Sequence, residues 1–412
     1  MWIRTLLTGM VAVLMSGCAS GGPGTGSARP AEDVLFLRTP RGVALVKARA
    51  DAVAVHFSDA VPSTDWSAVV QSITRDGDTY VEAFDTSSGD ELWSRPVAGN
   101  LEVKVASRDG RQVVLGSTSD DGGYPAGRSS TRFVVIDQET AEPRELTLEG
   151  NYEPEAFSTD GGSLFVIEYL PPRDPTSYQV RRLDLTTGEV GGVYTVDAEL
   201  QERMQGTARV QAASPNGDRL YTLYSLKDPD GSVHSFVHVL SLDEEWAHCV
   251  DLPDTFEIAN ERAIAMSVAP DGGRLYVADA LSGALAEIDT EALTVTRTAE
   301  VTLGPWGGRA AHAARGADGK LYIGSGSRLL SIDAATLSPG RSWDLQDRIN
   351  GIQAGTDGSR LYVGLKDRIA VIDTGTGRAL EALTPDRIEA IEQLGQSTRV
   401  LVQGRKRITC AC

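Results

Sequence analysis

The sequence repeats a short unit along most of its length, and this repeat limits the folds it can adopt. Each unit has an Asp-Gly or Asn-Gly turn, then a strand such as Leu-Tyr-Val, then a strand ending in a polar turn such as Ile-Asp-Thr. The turns occur at residues 109–110, 160–161, 216–217, 271–272, 318–319 and 357–358. Four short strands per unit, at spacings of about 40–55 residues, indicate a β-propeller, because a lone four-stranded sheet cannot bury both of its faces.

The register of the repeat predicts eight blades. Seven full units end near residues 97, 148, 196, 252, 303, 345 and 383. Residues 386–412 then match residues 347–373 without gaps and supply three more strands. We expect residues 34–48 to add the missing outer strand, so that the N-terminal strand pairs with the C-terminal blade and closes the ring. Seven blades, or two separate β-sandwiches, are the alternatives.

Individual units resemble known propeller repeats. Residues 361–363 (Leu-Tyr-Val) with 372–374 (Ile-Asp-Thr) are similar to the bacterial YVTN, WD40-like and quinoprotein-like repeats. The resemblance implies one all-β propeller domain over residues 33–412, and no particular activity, because propellers have many unrelated functions. Residues 89–93 (Gly-Asp-Glu-Leu-Trp) are similar to the docking motif of quinoproteins. Because only one unit carries that motif, we expect no quinone and no other cofactor.

The first 17 residues resemble a bacterial lipoprotein signal peptide. Arg4 precedes an apolar run, from Leu6 to Met15, that is too short to span a bilayer comfortably. Residues 14–18 (Leu-Met-Ser-Gly-Cys) are similar to the lipobox, which implies that Cys18 is diacylated and becomes the N terminus. Residues 18–32 are then the acylated cysteine and a flexible Gly/Ser/Pro-rich linker. An ordinary cleaved signal, or a buried thiol at Cys18, is the alternative.

Charge and the lipobox together predict location and partners. The chain has 39 Lys and Arg against 57 Asp and Glu, a net charge of −18, which argues against nucleic acid or an anionic membrane surface as the main partner. Two acyl chains give stable membrane anchoring. We therefore expect export across the cytoplasmic membrane and lipid anchoring to the cell envelope on the extracytoplasmic side. We also expect a monomer rather than an oligomer.

Three long loops suggest a binding face. In a propeller, the loops between the second and third strands of each blade open on the same face as the connections between blades. Long loops of the first kind occur at residues 116–130, 170–177 and 226–232, in the second to fourth blades. Loops on a rigid scaffold often bind partners, although neutral length variation is the alternative. The candidate partner contacts are Tyr124, Arg128, Arg173, Asp228 and Asp230.

A second candidate site comes from the position nine residues before each turn acid. Arginine recurs there in four consecutive units, at the expected start of the innermost strand and at the mouth of the central channel. Converging guanidinium groups suit a carboxylate, a phosphate or an acidic partner loop. The candidate ligand contacts are Arg262, Arg309, Arg348 and Arg387, with Asn151 at the same position in another unit and His312 nearby. Repeated inter-blade salt bridges, with Asp347 and Asp386 as partners, are the alternative.

These features predict a lipid-anchored extracytoplasmic propeller that acts as a protein- or ligand-binding scaffold or sensor in the cell envelope. It is similar in layout to the eight-bladed lipoprotein of the outer-membrane assembly machinery. The partner would be an envelope protein or an anionic ligand. A propeller enzyme of the lactonase or lyase kind, using His312 with Glu153, Glu155 and Glu389 at the channel mouth, is the alternative. A purely structural envelope protein is a third possibility. No catalytic residue and no metal ligand is predicted.

Overall fold

The computed structural model describes residues 33–395 except 58–59, 118–126, 140–142, 198, 201–206, 228–230, 257–260, 305, 307, 309 and 387. The described residues form eight small sheets arranged in a ring, so the chain is an eight-bladed β-propeller. The all-β prediction with eight blades is confirmed, and the alternatives of seven blades or two sandwiches are wrong. Among the described residues, no helix has the length and apolar character needed to cross a membrane.

The strands follow one another blade by blade. The chain begins with β1 (Val34–Thr39), β2 (Gly42–Lys47) and β3 (Ala52–Phe57). Blade 1 contains β4 (Val61–Pro62), β5 (Ala68–Arg75), β6 (Asp78–Asp85) and β7 (Glu91–Ala98). Blade 2 contains β8 (Leu101–Ala106), β9 (Gln112–Ser117), β10 (Ser130–Asp137) and β11 (Arg144–Glu149). Blade 3 contains β12 (Asn151–Phe157), β13 (Ser163–Leu170), β14 (Ser177–Asp184) and β15 (Val190–Gly192).

Blade 4 has an additional strand at its outer edge. There β16 (Tyr194–Thr195) runs parallel to β20 (Trp246–Asp251), outside β17 (Thr207–Ala213), β18 (Arg219–Lys227) and β19 (Val233–Ser241). A 3-10 turn at Glu261–Ala263 leads into blade 5, which contains β21 (Ile264–Val268), β22 (Arg274–Asp279), β23 (Ala284–Asp289) and β24 (Thr294–Glu300). Blade 6 contains β25 (His312–Arg315), β26 (Lys320–Ser325), β27 (Arg328–Asp333) and β28 (Ser338–Asp344). Blade 7 contains β29 (Ile352–Ala354), β30 (Arg360–Gly364) and β31 (Ile369–Asp373).

The predicted ends of the repeat units agree with the blades. The outermost strands β7, β11, β20, β24 and β28 end at residues 98, 149, 251, 300 and 344. In blade 7, single bridges from Ala379 and Leu383 to β31 take the outermost position. The turn and strand signals therefore located seven blades to within a few residues, because each signal belongs to the local hydrogen bonding of one blade.

The ring closes in blade 8, where the two chain ends meet. The innermost strand, β32 (Gln393–Leu394), pairs antiparallel with β1 through Leu37 and Leu394, so the predicted N- to C-terminal pairing is confirmed. The predicted division of strands is wrong. The N-terminal segment supplies three strands rather than one, and the described part of the C-terminal segment supplies only β32. The reason is packing: β1 is apolar on both faces, with Leu35 and Leu37 in the core shared with blade 7 and Phe36 in the core shared with blade 1.

Apolar side chains fill the space between neighbouring blades. Eight buried clusters lie between the blades, and the one between blades 4 and 5 contains Leu223, Val237, Met266 and Val277. Both faces of each inner sheet are therefore buried, which is why the central strands are almost continuously apolar rather than alternating. The rigid ring holds the loops at its two faces in fixed positions.

The two faces differ in their loops. In each blade, one turn joins the first strand to the second and another joins the third to the fourth. We call the face that carries these turns the lower face. The opposite face, with the loops between second and third strands and the connections between blades, is the upper face. On the lower face, Oδ1 of Asp184 accepts the backbone N–H groups of Thr186 and Thr187 at 2.8 and 2.9 Å. Turns of this kind recur around the lower face and satisfy their own polar groups.

Cations also join neighbouring blades on the lower face. Arg95 of blade 1 donates to the carbonyl oxygen of Gln138 in blade 2, and Arg144 of blade 2 donates to that of Thr186 in blade 3, both at 3.1 Å. Arg341 of blade 6 donates likewise to Thr376 in blade 7. The propeller thus has a repeated inter-blade contact. It is formed by arginines of the outermost strands, and not by the arginines predicted at the start of the innermost strands.

Acid should destabilise the propeller through the lower-face turns. The backbone N–H groups of these turns lower the pKa of Asp184, Asp289 and Asp373. A carboxyl group whose pKa is lower in the folded state stabilises the fold above its unfolded pKa of about 3.9, and this stabilisation is lost as pH falls through the folded pKa. We therefore expect the melting temperature to change little between pH 7 and pH 5 and to fall below about pH 4. Thermal melts across this range test it, and a melting temperature that rises as the pH falls below 4 would contradict it.

Candidate functional site

Two of the long loops on the upper face are joined to each other. The backbone N–H of Arg128, in the loop of blade 2, donates to the carbonyl oxygen of Pro172, in the loop of blade 3, at 3.1 Å. The loops also approach closely at Gly127, where a Cβ atom would lie 1.9 Å from the carbonyl oxygen of Arg173. We call residues 127–129 and 170–177 the ledge. The predicted loop face therefore includes one continuous surface over two blades.

Asn151 anchors the ledge from below. It is the first residue of β12, its side chain is fully buried, and its Nδ2 donates to the carbonyl oxygen of Pro172 at 3.0 Å. Its Oδ1 is buried and accepts no hydrogen bond from a described residue. Asn151 therefore lies at the predicted start of an innermost strand, but its amide holds a loop in place. Its role as a ligand contact stays a prediction.

Arg128 is an inter-blade contact within the ledge. Its guanidinium group donates to the backbone carbonyl oxygen of Tyr152 and, at 2.9 Å, to Oε1 of Glu153 on the innermost strand of blade 3. The side chains of Arg128 and Glu153 are each about 30% exposed, so solvent screens this pair only partly. By contrast, the side chains of Arg173 and Asp174 at the tip of the ledge are exposed. Among the predicted partner contacts in the ledge, Arg173 is therefore the more accessible.

At the channel mouth, the structure brings two of the predicted ligand contacts together. His312 is the first residue of β25 in blade 6, and Arg348 lies in the connection that leads to β29 in blade 7. Nε of Arg348 donates to Oδ1 of Asn350 at 2.6 Å. Asn350 is buried, and its Nδ2 donates to the carbonyl oxygen of Ile391 at 2.7 Å. One edge of the Arg348 guanidinium group is thus fixed by an amide that is itself held in place.

The electrostatics of His312 reflect this neighbour. His312 is half-buried at the start of β25. Burial and, second, the positive charge of Arg348 lower the pKa of His312 to about 4. The imidazole is therefore neutral at pH 7, with one nitrogen able to donate and the other able to accept a hydrogen bond.

The other candidates are more scattered. Arg262 lies in the 3-10 turn before β21, and its backbone carbonyl oxygen accepts the N–H of Ala311 at 2.6 Å, which joins blades 5 and 6. Several predicted contacts lie outside the described residues: Cys18, Tyr124, Asp228, Asp230, Arg309 and Arg387. The predicted signal peptide and linker, residues 1–32, lie outside them as well.

The groups suggested for an enzyme do not converge. Glu153 pairs with Arg128, Glu155 accepts a hydrogen bond from Gln211, and Glu389 pairs with Arg41. Glu153 and Glu155 belong to blade 3, whereas His312 belongs to blade 6. Within the described part of the chain, no three His, Cys, Asp or Glu side chains are grouped so that they could hold a metal ion. The described residues therefore offer this activity no assembled site.

A cleft of about 300 Å³ lies between blades 6 and 7 on the lower side. Its lining includes Lys320, Asp333, Arg341 and Trp343. Nζ of Lys320 donates to the carbonyl oxygen of Thr374 at 3.2 Å, and Nε1 of Trp343 donates to that of Gly377 at 2.8 Å. These donors already join the two blades, so the upper face is the better candidate for binding.

Comparison with known proteins supports the fold. No protein-family model matches the chain, and no curated protein matches it. The solved structure of apo AztD from Citrobacter koseri is 13% identical, with a TM-score of 0.56, covering 88% of this chain and 96% of AztD. The dihydro-heme d1 dehydrogenase NirN in complex with DHE is 14% identical, with a TM-score of 0.52, covering 89% of this chain and 75% of NirN. BamB from Moraxella catarrhalis is 14% identical, with a TM-score of 0.44, covering 79% of this chain and 87% of BamB.

At such low identity, the similarities to AztD and NirN, whose TM-scores are above 0.5, define the fold and no more. The chain belongs structurally with the β-propellers, and a propeller scaffold supports many unrelated activities. Function has to be argued from the loops and side chains that this ring carries.

Proposed function

We propose that this protein is a lipid-anchored extracytoplasmic scaffold in the cell envelope that binds a partner protein through its upper face. The observation that carries the proposal is the ledge, in which Arg128 N–H and Asn151 Nδ2 both donate to the carbonyl oxygen of Pro172. A surface that is already ordered loses less conformational entropy on binding than two separate loops would. It also presents the exposed side chains of Arg173 and Asp174 in one place.

The entry point of the chain agrees with this choice of face. Asp33 lies at the lower face, where its Oδ1 accepts the backbone N–H of Thr356 at 2.9 Å and its Oδ2 accepts the hydroxyl of Tyr362 at 2.8 Å. The anchor proposed at Cys18 would therefore join the ring at its lower face, on the side opposite the proposed binding surface.

Two sets of variants test the proposal. Cys18→Ser should abolish the incorporation of a labelled fatty acid, because acylation needs the thiol. The double variant Arg173→Glu with Asp174→Arg should lose the partner that co-purifies with the wild type from native membranes, because reversing both charges opposes the original contacts. Affinity purification with quantitative mass spectrometry measures this loss.

Glu189→Arg is the matched control, because Glu189 is an exposed charged residue on the lower face of the same blade. It should retain the partner. Loss of the partner in Glu189→Arg, or its retention in the ledge variant, would contradict the assignment to the upper face. Fatty-acid labelling of Cys18→Ser at the level of the wild type would contradict the anchor alone.

A further inference from the structure

At the channel mouth on the upper face, no carboxylate among the described residues pairs with Arg348. The adjacent Asp347 is already bound by Arg368, and Glu389 is bound by Arg41. Within the described residues, the Arg348 guanidinium group forms one hydrogen bond, from its Nε to Oδ1 of Asn350. Its Nη1 and Nη2 atoms therefore keep their donors for a ligand, in a protein whose net charge is −18.

His312 contributes a second donor beside this guanidinium group. The ring of His312 forms no hydrogen bond with a described residue, and the positive charge of Arg348 contributes to its lowered pKa. The cross-strand partner of His312 is Gly324, which brings no side chain, and a Cβ atom at Gly324 would lie 3.0 Å from Cγ2 of Ile349, the residue after Arg348. An imidazole N–H and two guanidinium N–H groups are a donor set that suits an oxyanion.

We propose that Arg348 and His312 bind a small oxyanion, such as a carboxylate or a sulfate-like group, at the channel mouth, and that binding takes up a proton at His312. The site goes beyond the proposed function, since it lies in blades 6 and 7 whereas the ledge lies in blades 2 and 3. It requires no covalent step. The anion exchanges its hydration for charge-assisted hydrogen bonds.

The proton uptake follows from the charges around His312. The charged groups on the elements packed against His312 include Arg348 and Asp347, before β29, and Arg262, before β21; Asp347 is already bound by Arg368. The position of Arg309, on the connection before β25, lies outside the described residues. Burial disfavours a positive charge on His312, and the positive charge of Arg348 acts in the same direction. An anion bound beside Arg348 opposes that charge and raises the pKa of His312, so affinity should increase as pH falls from 7.5 toward 5.5.

Calorimetric titration with sulfate tests the proposal, because sulfate keeps its charge over this pH range. We expect saturable binding to the purified protein that tightens at pH 5.5 relative to pH 7.5. Arg348→Gln should weaken it by about tenfold or more, the usual effect of removing a charged hydrogen-bond donor. Arg328→Gln is the matched control, because Arg328 is another exposed arginine on the upper face, and its effect should stay within about twofold. His312→Gln should bind sulfate with no pH dependence.

Thermal melts first show whether each variant folds. Because the Arg348 side chain is exposed, the melting temperature of Arg348→Gln should stay close to that of the wild type. The site would be overturned if the wild type bound no sulfate at any pH. It would also be overturned if Arg348→Gln and Arg328→Gln weakened sulfate binding equally. A pH dependence that persists in His312→Gln would overturn the proton coupling. None of these results affects partner binding by the ledge, so the two proposals fail separately.

Discussion

Glu287→Gln should destabilise the propeller by about 2–3 kcal/mol, because it removes the charge from the hydrogen bonds between a buried carboxylate and Arg297, whose side chain is 35% exposed. The Glu287 side chain is 4% exposed on β23 of blade 5, and its carboxylate accepts hydrogen bonds from Arg297 and from Thr296. Burial alone would raise the pKa of Glu287, but these hydrogen bonds outweigh it and hold the pKa below its ordinary value. Arg297 also donates to the carbonyl oxygen of Ala334, so the loss extends to the contact with blade 6.

The matched control is Glu291→Gln in the same blade. Glu291 pairs with Arg219 at 3.1 Å, but its side chain is 88% exposed. Exposed pairs contribute about 0–1 kcal/mol. Urea unfolding of both variants measures the difference. A cost for Glu287→Gln as small as that for Glu291→Gln would show that this pair does not stabilise the ring.

Truncating the chain after residue 390 should abolish the cooperative unfolding of the ring, because it removes β32 and its contacts. The buried Leu394 packs against β1, and its backbone N–H donates to the carbonyl oxygen of Asn350 at 2.8 Å. The backbone of Gly351 lies so close that a Cβ atom there would come within 1.9 Å of the carbonyl oxygen of Leu394. Removing the strand takes Leu394 away from buried Leu37 and removes the carbonyl oxygen of Ile391, which accepts from Nδ2 of Asn350 at 2.7 Å, and both losses are costly.

A shorter truncation, after residue 396, is the control for this prediction. The strands β1, β2 and β3 together with β32 already complete blade 8. The melting temperature should therefore stay close to that of the full chain. If the chain truncated after residue 390 melted at the temperature of the full chain, this description of the closure would be contradicted. Loss of cooperative unfolding after truncation at residue 396 would contradict it as well.

The sequence located the blades well because the signals for them are local. Asp-Gly turns and Ile-Asp-Thr turns are set by hydrogen bonds within a few residues, as Asp373 and Thr376 illustrate at 2.6 Å. The closure was predicted less well. Residues 399–412 resemble the second and third strands of blade 7, yet β1 and β2 occupy those positions in blade 8. Similarity between two segments cannot show which one reaches a shared position in the ring.

For the candidate site as well, positions set by local sequence were predicted and contacts between blades were not. The repeat register placed Asn151 and Arg348 at or just before the start of an innermost strand, where the structure has them. It could not show that Arg128 pairs with Glu153, because that contact joins different blades. The arginines that join blades on the lower face were missed, although Arg95 and Arg144 also occur on successive outermost strands.

Site-specific photo-crosslinking in native membranes tests the central claim most directly. A photoreactive residue at position 173, on the ledge, is compared with one at position 189, on the lower face of the same blade. We predict one dominant envelope-protein adduct from position 173 and little or none from position 189. Equal adducts from both positions, or a dominant adduct from position 189, would contradict a scaffold that binds its partner through the upper face.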